Sequence, residues 1–123
     1  MTQLRCAKNN NPTEIMRSVS LCESVDIKKL IEGIADGSIV IPSNKKRTLS
    51  KPCGIGCGLS TKVNANIGTS RGDEDINKEL KKLKTAIDAG ADAVMDLSTG
   101  GDLKKIRKIL IENCPVPFGR VPI

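Results

Sequence analysis

An alternation of strand and helix patterns over the second half of the sequence constrains the fold more than any other feature. Apolar residues recur at helical spacing near 75–89 and 102–113, and short extended patterns lie near 62–67, 92–97 and 116–121. Each strand–helix unit takes roughly 25–30 residues, which is typical of parallel strands joined by crossover helices. Because such crossovers are right-handed, we expect three adjacent parallel strands with both helices on one side.

Capping residues mark the ends of these helices. Asp102 is placed to cap the second helix, a role that we favour over that of a catalytic acid, and Gly90 and Pro115 are placed to end the helices. Three strands and two helices cannot close a barrel, and an open strand exposes an unpaired edge. We therefore predict an α/β fold: a short helical leader followed by the first three βα strands of a (βα)8 barrel of the TIM type, incomplete in this chain.

The first half of the sequence differs in character, so we predict two parts. Residues 1–61 form a helical leader and a Gly-rich loop, and residues 62–123 form the β-α-β-α-β part of the barrel. Thr13 and Asp26 are candidate N-caps of two short leader helices. The apolar face predicted for the first of these helices consists of Ile15, Met16, Val19 and Cys22.

The Gly-rich loop contains Gly54-Ile55-Gly56-Cys57-Gly58, which invites comparison with a phosphate-binding loop. Its spacing is G-x-G-x-G and it precedes a strand instead of following one, so the dinucleotide-binding context is absent. We interpret it as a flexible turn into the first strand. A zinc or cluster site needs three or four ligands, and Cys53 and Cys57 have no second pair nearby, so we expect no metal site here.

Composition narrows the functional classes. The chain has 1% aromatic residues, 28% charged residues and a formal net charge of +6. We interpret the positive net charge first as a solvated basic surface and second as a sign of a phosphorylated small substrate. Nucleic acid is a distant third, because its binding proteins usually add aromatic residues for stacking. No apolar run approaches the about 20 residues of a membrane span, so no membrane partner is expected.

The absence of histidine limits the catalytic chemistry open to this chain, and its cysteines indicate the cellular compartment. Histidine is absent, which removes the usual general base and the commonest metal ligand. The five cysteines form an odd number with no secretory signal ahead of them, which favours reduced thiols and a cytoplasmic location.

The candidate site lies where the predicted strands end, since this edge carries function in parallel α/β folds. Asn64 and Asn66 are two residues apart in a strand and therefore share one face. Either a structural network or a ligand could satisfy these amides if they are buried, and the sequence leaves both open. Small residues at Gly68-Thr69-Ser70 and from Ser98 to Asp102 suit an anion or ordinary helix capping.

Three motifs resemble one known family. They are KVNANIGTS at 62–70, VMDLSTGGD at 94–102, and the segment 115–123, which opens with Pro-Val-Pro and closes with Val-Pro-Ile. Shorter matches lie at MTQL, TEIM and IPSN in the first half of the chain. Together they cover the chain in order, and the sequence resembles the N-terminal part of the phosphomethylpyrimidine synthase family.

The resemblance implies both a fold and a reaction. The implied fold is a (βα)8 barrel with an N-terminal leader and a C-terminal cluster-binding segment. The implied reaction converts 5-aminoimidazole ribonucleotide to 4-amino-5-hydroxymethyl-2-methylpyrimidine phosphate in thiamine biosynthesis. It uses S-adenosylmethionine and a 4Fe–4S cluster to form a deoxyadenosyl radical. Full-length members of the family are also expected to hold zinc and to form homodimers.

By the same resemblance, Asn66 and Met95 fall on substrate-binding positions. The weaker candidates for substrate binding are Asn64, Ser98 and Gly100. Because adjacent residues of a strand point to opposite faces, either Met95 or its neighbour in sequence faces the barrel interior, and the sequence does not decide which.

The chain also departs from the family pattern. The later histidines of the family and its C-x2-C-x4-C cluster motif have no counterpart here. We therefore assign no catalytic residue and no metal ligand to this chain, and we expect it to be inactive alone. Two alternatives stay open: the anaerobic 5-hydroxybenzimidazole synthase, which uses the same ribonucleotide, and a non-catalytic remnant that binds a ligand or a partner chain.

Overall fold

The computed structural model describes residues 1–121, which fold as two units, residues 1–61 and the residues from Lys62 onward. Pro122 and Ile123, which close one of the family motifs, lie outside the described residues. The first unit contains α1 (Gln3–Lys8), α2 (Glu14–Glu23), α3 (Ile27–Asp36), β1 (Ile39–Val40) and β2 (Ile55–Gly56). The second unit contains β3 (Asn64–Ile67), α4 (Ile76–Asp88), β4 (Ala93–Asp96), α5 (Leu103–Asn113) and β5 (Phe118–Arg120). Among residues 1–121, no helix is long and apolar enough to cross a membrane.

The first unit is a small helical core whose two predicted caps are confirmed. Thr13 Oγ1 accepts a hydrogen bond from the Met16 N–H at 3.2 Å, and Asp26 Oδ1 accepts one from the Lys28 N–H at 2.8 Å. The buried core consists of Cys6, Ala7, Met16, Val19, Leu30, Ile31, Ile34, Ile39 and Ile41. The placement of Cys22 on the apolar face is wrong, because this residue lies in the last turn of α2 and is exposed.

The Gly-rich loop forms part of a strand pair, so its interpretation as a turn holds only for residues 57–58 and is wrong for Ile55 and Gly56. Residues 55–56 pair antiparallel with residues 39–40. Cys57 N–H donates to the Ser38 carbonyl at 3.1 Å. Gly56 adopts φ +146°, and a Cβ there would lie 2.1 Å from the same Ser38 oxygen. The glycine is therefore required by close backbone approach to a segment distant in the sequence.

The second unit confirms the predicted α/β class with a parallel sheet. The strand order is β3-β4-β5, and both neighbouring pairs are parallel. The register runs from Asn64 opposite Ala93 to Ile67 opposite Asp96. The helices also lie where they were predicted, since α4 and α5 occupy residues 76–88 and 103–113.

Local signals set the ends of these helices, as predicted. Asp102 Oδ1 accepts a hydrogen bond from the Lys105 N–H at 3.1 Å and so caps α5. After α4, Gly90 adopts φ +94°, and Ala91 N–H donates to the Ala86 carbonyl at 3.0 Å. Side chains of both helices and two strands share one core, so both helices cover the same side of the sheet. This core consists of Ile67, Leu83, Val94, Ile106, Leu110, Cys114 and Val116.

The core predicts which apolar residue of α5 stabilises the second unit. Leu110 is 0% exposed, whereas its neighbour Ile111 is 37% exposed. Leu110→Ala should lower the free energy of unfolding by about 2–5 kcal/mol, because it leaves a cavity. Ile111→Ala is the control and should cost about 0.5 kcal/mol or less. Urea unfolding of both variants checks this, and equal losses would contradict the assigned core.

An exposed ion pair links the loop after β3 to the first turn of α4. Lys78 Nζ lies 2.9 Å from Asp73 Oδ1. This hydrogen bond, aided by the lysine charge, lowers the pKa of Asp73, and the same contact raises the pKa of Lys78. In the first unit, the Ser38 N–H instead lowers the pKa of Asp36.

Removing Lys78 should therefore change the pKa of Asp73 and leave the pKa of Asp36 unchanged. In Lys78→Met, the pKa of Asp73 should rise toward its ordinary value, whereas that of Asp36 should stay unchanged. A lowered folded-state pKa contributes stability above the unfolded pKa, and this contribution is lost as the pH falls through the folded value. Carboxyl-carbon NMR titration of the parent and variant tests the shift. An Asp73 pKa that stays low in Lys78→Met would show that the lysine is not its cause.

Candidate functional site

The two asparagines of β3 lie on the face of the sheet opposite the helices. Asn64 and Asn66 are exposed, whereas Ile67 is buried in the core. Asn64 Nδ2 donates to Asn66 Oδ1 at 3.0 Å. Within residues 1–121, the Asn66 Nδ2 group makes no hydrogen bond, so it is available to donate to a ligand.

Met95 lies beside Asn66 on this open face. The two residues are directly opposite in the parallel register, and Gly119 of β5 is opposite Met95 on its other side. A Cβ at Gly119 would lie 3.3 Å from Met95 Sδ, so the methionine side chain extends over the glycine. The question that the sequence left open is therefore answered: Met95 occupies the open face and Asp96 the helix side.

Asp96 ends β4 with a carboxylate that is buried against the helices. The residue is 1% exposed. Its Oδ2 accepts a hydrogen bond from Arg107 Nε of α5 at 3.0 Å, and its Oδ1 accepts one from the Ser98 backbone N–H at 2.9 Å. A buried carboxylate is costly unless charged and N–H donors compensate it, and here both kinds of donor are present.

The loops after β3 and β4 are joined to each other by buried hydrogen bonds. Thr69 N–H donates to Ser98 Oγ at 3.0 Å, and Thr69 Oγ1 donates to the Gly100 carbonyl at 2.7 Å. Thr99 N–H donates to the Thr69 carbonyl at 2.9 Å. A Cβ at Gly68 would lie 2.7 Å from the Ser98 nitrogen, so the two backbones touch. We call these two joined loops, residues 68–70 and 97–101, the carboxyl rim.

A shallow depression of about 440 Å³ lies at this rim. It is lined by Asn66, Ile67, Gly68, Thr69, Ser70, Lys82, Leu97 and Thr99. The lining combines an amide, hydroxyl groups and one ammonium group, a set that can donate hydrogen bonds to a polar ligand. The depression therefore joins the open face at Asn66 to the ends of the strands, where ligands bind in parallel α/β folds.

A second carboxylate is buried near the rim. Glu79 of α4 is 2% exposed, and its Oε1 lies 2.6 Å from Lys82 Nζ. The same ammonium group lies 3.5 Å from the Gly68 carbonyl. Within the described residues, Glu79 Oε2 has no hydrogen-bond partner. The Glu79–Lys82 pair thus supports the start of the rim from the helix side.

The structure brings the main predicted residues together and places the weaker ones in different settings. Asn66 and Met95 are neighbours on the open face, and Asn64 lies next to Asn66. Ser98 Oγ and the Gly100 carbonyl both accept hydrogen bonds from Thr69, inside the rim. The roles of all five toward a substrate stay predictions.

Sequence reasoning missed Arg107 and Glu79. Glu79 lies next to Leu80, a core-facing position of the helical pattern. A charged residue so close to the buried stripe of a helix was the signal that could have drawn attention to it. For Arg107 the signal was a carboxylate at the end of an otherwise apolar strand, because a buried Asp96 needs a cationic partner.

The described residues do not fit a metal cluster. Among residues 1–121, no group of three or more His, Cys, Asp or Glu side chains lies close enough to hold a metal ion. Cys53 is buried and Cys57 is exposed. A 4Fe–4S cluster or a zinc ion therefore has no set of ligands in this part of the protein.

Comparison with known proteins covers both units. Residues 2–123 match the model of the radical SAM ThiC family. The chain is 54% identical over 123 residues to a phosphomethylpyrimidine synthase of Thermoanaerobacter sp. (strain X514), and 54% identical to phosphomethylpyrimidine synthase 2 of Methanothermobacter thermautotrophicus. A phosphomethylpyrimidine synthase of Desulfotalea psychrophila is 48% identical over 117 residues, or 95% of the chain.

The alignments cover all or nearly all of this chain but cover only a part of each relative. The first two alignments take in 100% of this chain but only 28% and 29% of the relatives, so the chain spans less than a third of their length. The family model nevertheless matches nearly every residue of both units. The chain therefore belongs to the radical SAM ThiC family.

Proposed function

We propose that this chain is part of a phosphomethylpyrimidine synthase of thiamine biosynthesis and contributes the beginning of its substrate-binding surface. The observation that carries this proposal is the match to enzymes of that name along the whole chain. The proposed reaction converts 5-aminoimidazole ribonucleotide to 4-amino-5-hydroxymethyl-2-methylpyrimidine phosphate by radical chemistry. The adjacency of Asn66 and Met95 on the open face supports the proposal, because the family resemblance assigns both residues to the substrate.

The proposal includes the rest of the enzyme. We propose that β3, β4 and β5 are the first strands of a (βα)8 barrel whose interior is the face that carries Asn66 and Met95. The proposed cofactors are S-adenosylmethionine, a 4Fe–4S cluster and zinc, and the cluster and the zinc would be held by segments other than residues 1–121, among which no group of three metal-ligating side chains lies together. The proposed assembly is a homodimer in the cytoplasm, with no nucleic acid or membrane partner.

The proposed role of this chain is to bind and orient the ribonucleotide. Asn66 can donate through its Nδ2 group while its Oδ1 atom accepts a hydrogen bond from Asn64 Nδ2, a contact that favours one orientation of the amide. Met95 presents an apolar, polarisable surface next to this amide, which suits the flat face of an imidazole ring. The rim would complete the pocket with hydroxyl groups of Ser70 and Thr99.

The amide of Asn66 gives the direct test of this role. In a chimera, residues 1–123 replace the matching segment of the 54% identical Thermoanaerobacter protein, and its residues are named by their numbers in this sequence. Asn66→Ala should weaken binding of the ribonucleotide roughly 2- to 13-fold, because one neutral hydrogen bond contributes about 0.5–1.5 kcal/mol. Turnover should fall further if the amide also orients the ring for reaction. Calorimetric binding and thermal melting on one preparation measure both effects.

Asn77→Ala is the matched control for this substitution. Asn77 is an exposed asparagine in the first turn of α4, away from the open face of the sheet. Its replacement should leave binding within twofold of the parent. An Asn66→Ala chimera that melts earlier yet binds the ribonucleotide normally would rule out the ligand role and leave a structural one.

The chain by itself should be inactive. It has no histidine, and none of its cysteines follows the C-x2-C-x4-C spacing of the family cluster motif. Incubated with S-adenosylmethionine, reductant, iron and sulfide, residues 1–123 should yield no deoxyadenosine and no pyrimidine phosphate, whereas the chimera should yield both. Chromatographic product analysis makes the comparison. Deoxyadenosine that depends on the 123-residue chain would overturn this expectation.

A further inference from the structure

We infer that Arg107 is a positioning residue for the carboxyl rim and, through the rim, for the substrate-binding edge of the sheet. The inference rests on the proposed function and deepens it. Arg107 itself lies in α5, on the helix side of the sheet, whereas Asn66 and Met95 lie on the opposite face. Any effect of Arg107 on the substrate must therefore pass through other residues.

A continuous series of contacts provides the route. Arg107 Nε donates to Asp96 Oδ2 at 3.0 Å, and the other carboxylate oxygen accepts from the Ser98 N–H at 2.9 Å. Ser98 Oγ then accepts from the Thr69 N–H at 3.0 Å, and Thr69 Oγ1 donates to the Gly100 carbonyl at 2.7 Å. These contacts start in a helix, cross the end of β4 and finish between the two loops of the rim.

Burial makes this series rigid. Asp96, Ser98 and Thr69 are each at most 4% exposed, so water cannot replace a lost contact without local opening. The loops also touch through backbone at Gly100, where a Cβ would lie 2.5 Å from the Ser70 carbonyl oxygen. Two backbones packed this closely move together, so one anchor on Asp96 holds both loops.

The same anchor sits next to the substrate-binding candidates. Asp96 follows Met95 directly, and in the neighbouring strand Asn66 and Ile67 are opposite these two residues. Leu97 N–H donates to the Ile67 carbonyl at 2.8 Å, which continues the pairing from the strands into the rim. Asp96 is therefore anchored directly beside the pair Asn66–Met95, at the point where the paired strands continue into the rim.

Arg107→Lys in the chimera is the principal test, because it keeps a cation beside the buried carboxylate but removes the planar guanidinium group. Binding of 5-aminoimidazole ribonucleotide should weaken at least threefold. Amide hydrogen exchange, read by mass spectrometry on peptides that carry the Thr69 amide, should accelerate at least tenfold. Asp96→Asn, which keeps an acceptor for the Ser98 N–H, is the second variant and should change both readouts in the same direction.

Lys108→Met is the matched control, since Lys108 is exposed on the same helix. It should leave binding and exchange within twofold of the parent. If Arg107→Lys speeds exchange without weakening binding, the residue is purely structural and the inference is overturned. Weaker binding with unchanged exchange at Thr69 also overturns it, because the effect would then bypass the rim. A parent chimera that fails to bind the ribonucleotide contradicts the proposed function instead, and the exchange comparison still decides whether Arg107 holds the rim.

Discussion

The buried carboxylate of Asp96 is the constraint on which the organisation of the second unit depends. A carboxylate that is 1% exposed requires donors from several directions, and these come from α5 and from the backbone that follows β4. The side chain therefore joins a helix, a strand and a loop at one point. Because the same loop is bonded to Thr69, the constraint extends to the end of β3 as well. The carboxyl ends of β3 and β4 are thus organised around a buried carboxylate.

The fold was predictable from the sequence where local chemistry decides. Thr13, Asp26 and Asp102 cap helices because a short polar side chain satisfies the first free N–H groups of a helix, and this depends only on neighbours in sequence. Gly90 ends α4 because its positive φ is unfavourable for other residues. The parallel sheet followed from the spacing of strand and helix patterns, which is also a property of the chain itself.

The sequence did not predict the features that depend on contacts between segments distant in the chain. Gly56 was interpreted as part of a turn because nothing near it shows that residues 39–40 pair with it. Cys22 has the spacing of a core residue, yet the core does not cover the last turn of its helix. For the site, Asn64 and Asn66 were assigned to one face correctly, but the choice between Met95 and Asp96 needed the register with β3. Arg107 was missed because its partner lies 11 residues away in another element.

Side chains of β4 alternate between the two faces of the sheet, so adjacent residues of this strand make different contacts. Val94 and Asp96 point toward the helices, where one fills the core and the other binds Arg107, while Met95 between them lies on the open face. A slip of one residue in the pairing of this strand would exchange the faces. It would turn the carboxylate to the open face and the thioether to the helix side, leaving Arg107 without its buried acceptor. The Asp96–Arg107 pair therefore disfavours a one-residue slip, and it is compatible with the observed register, in which Met95 lies next to Asn66.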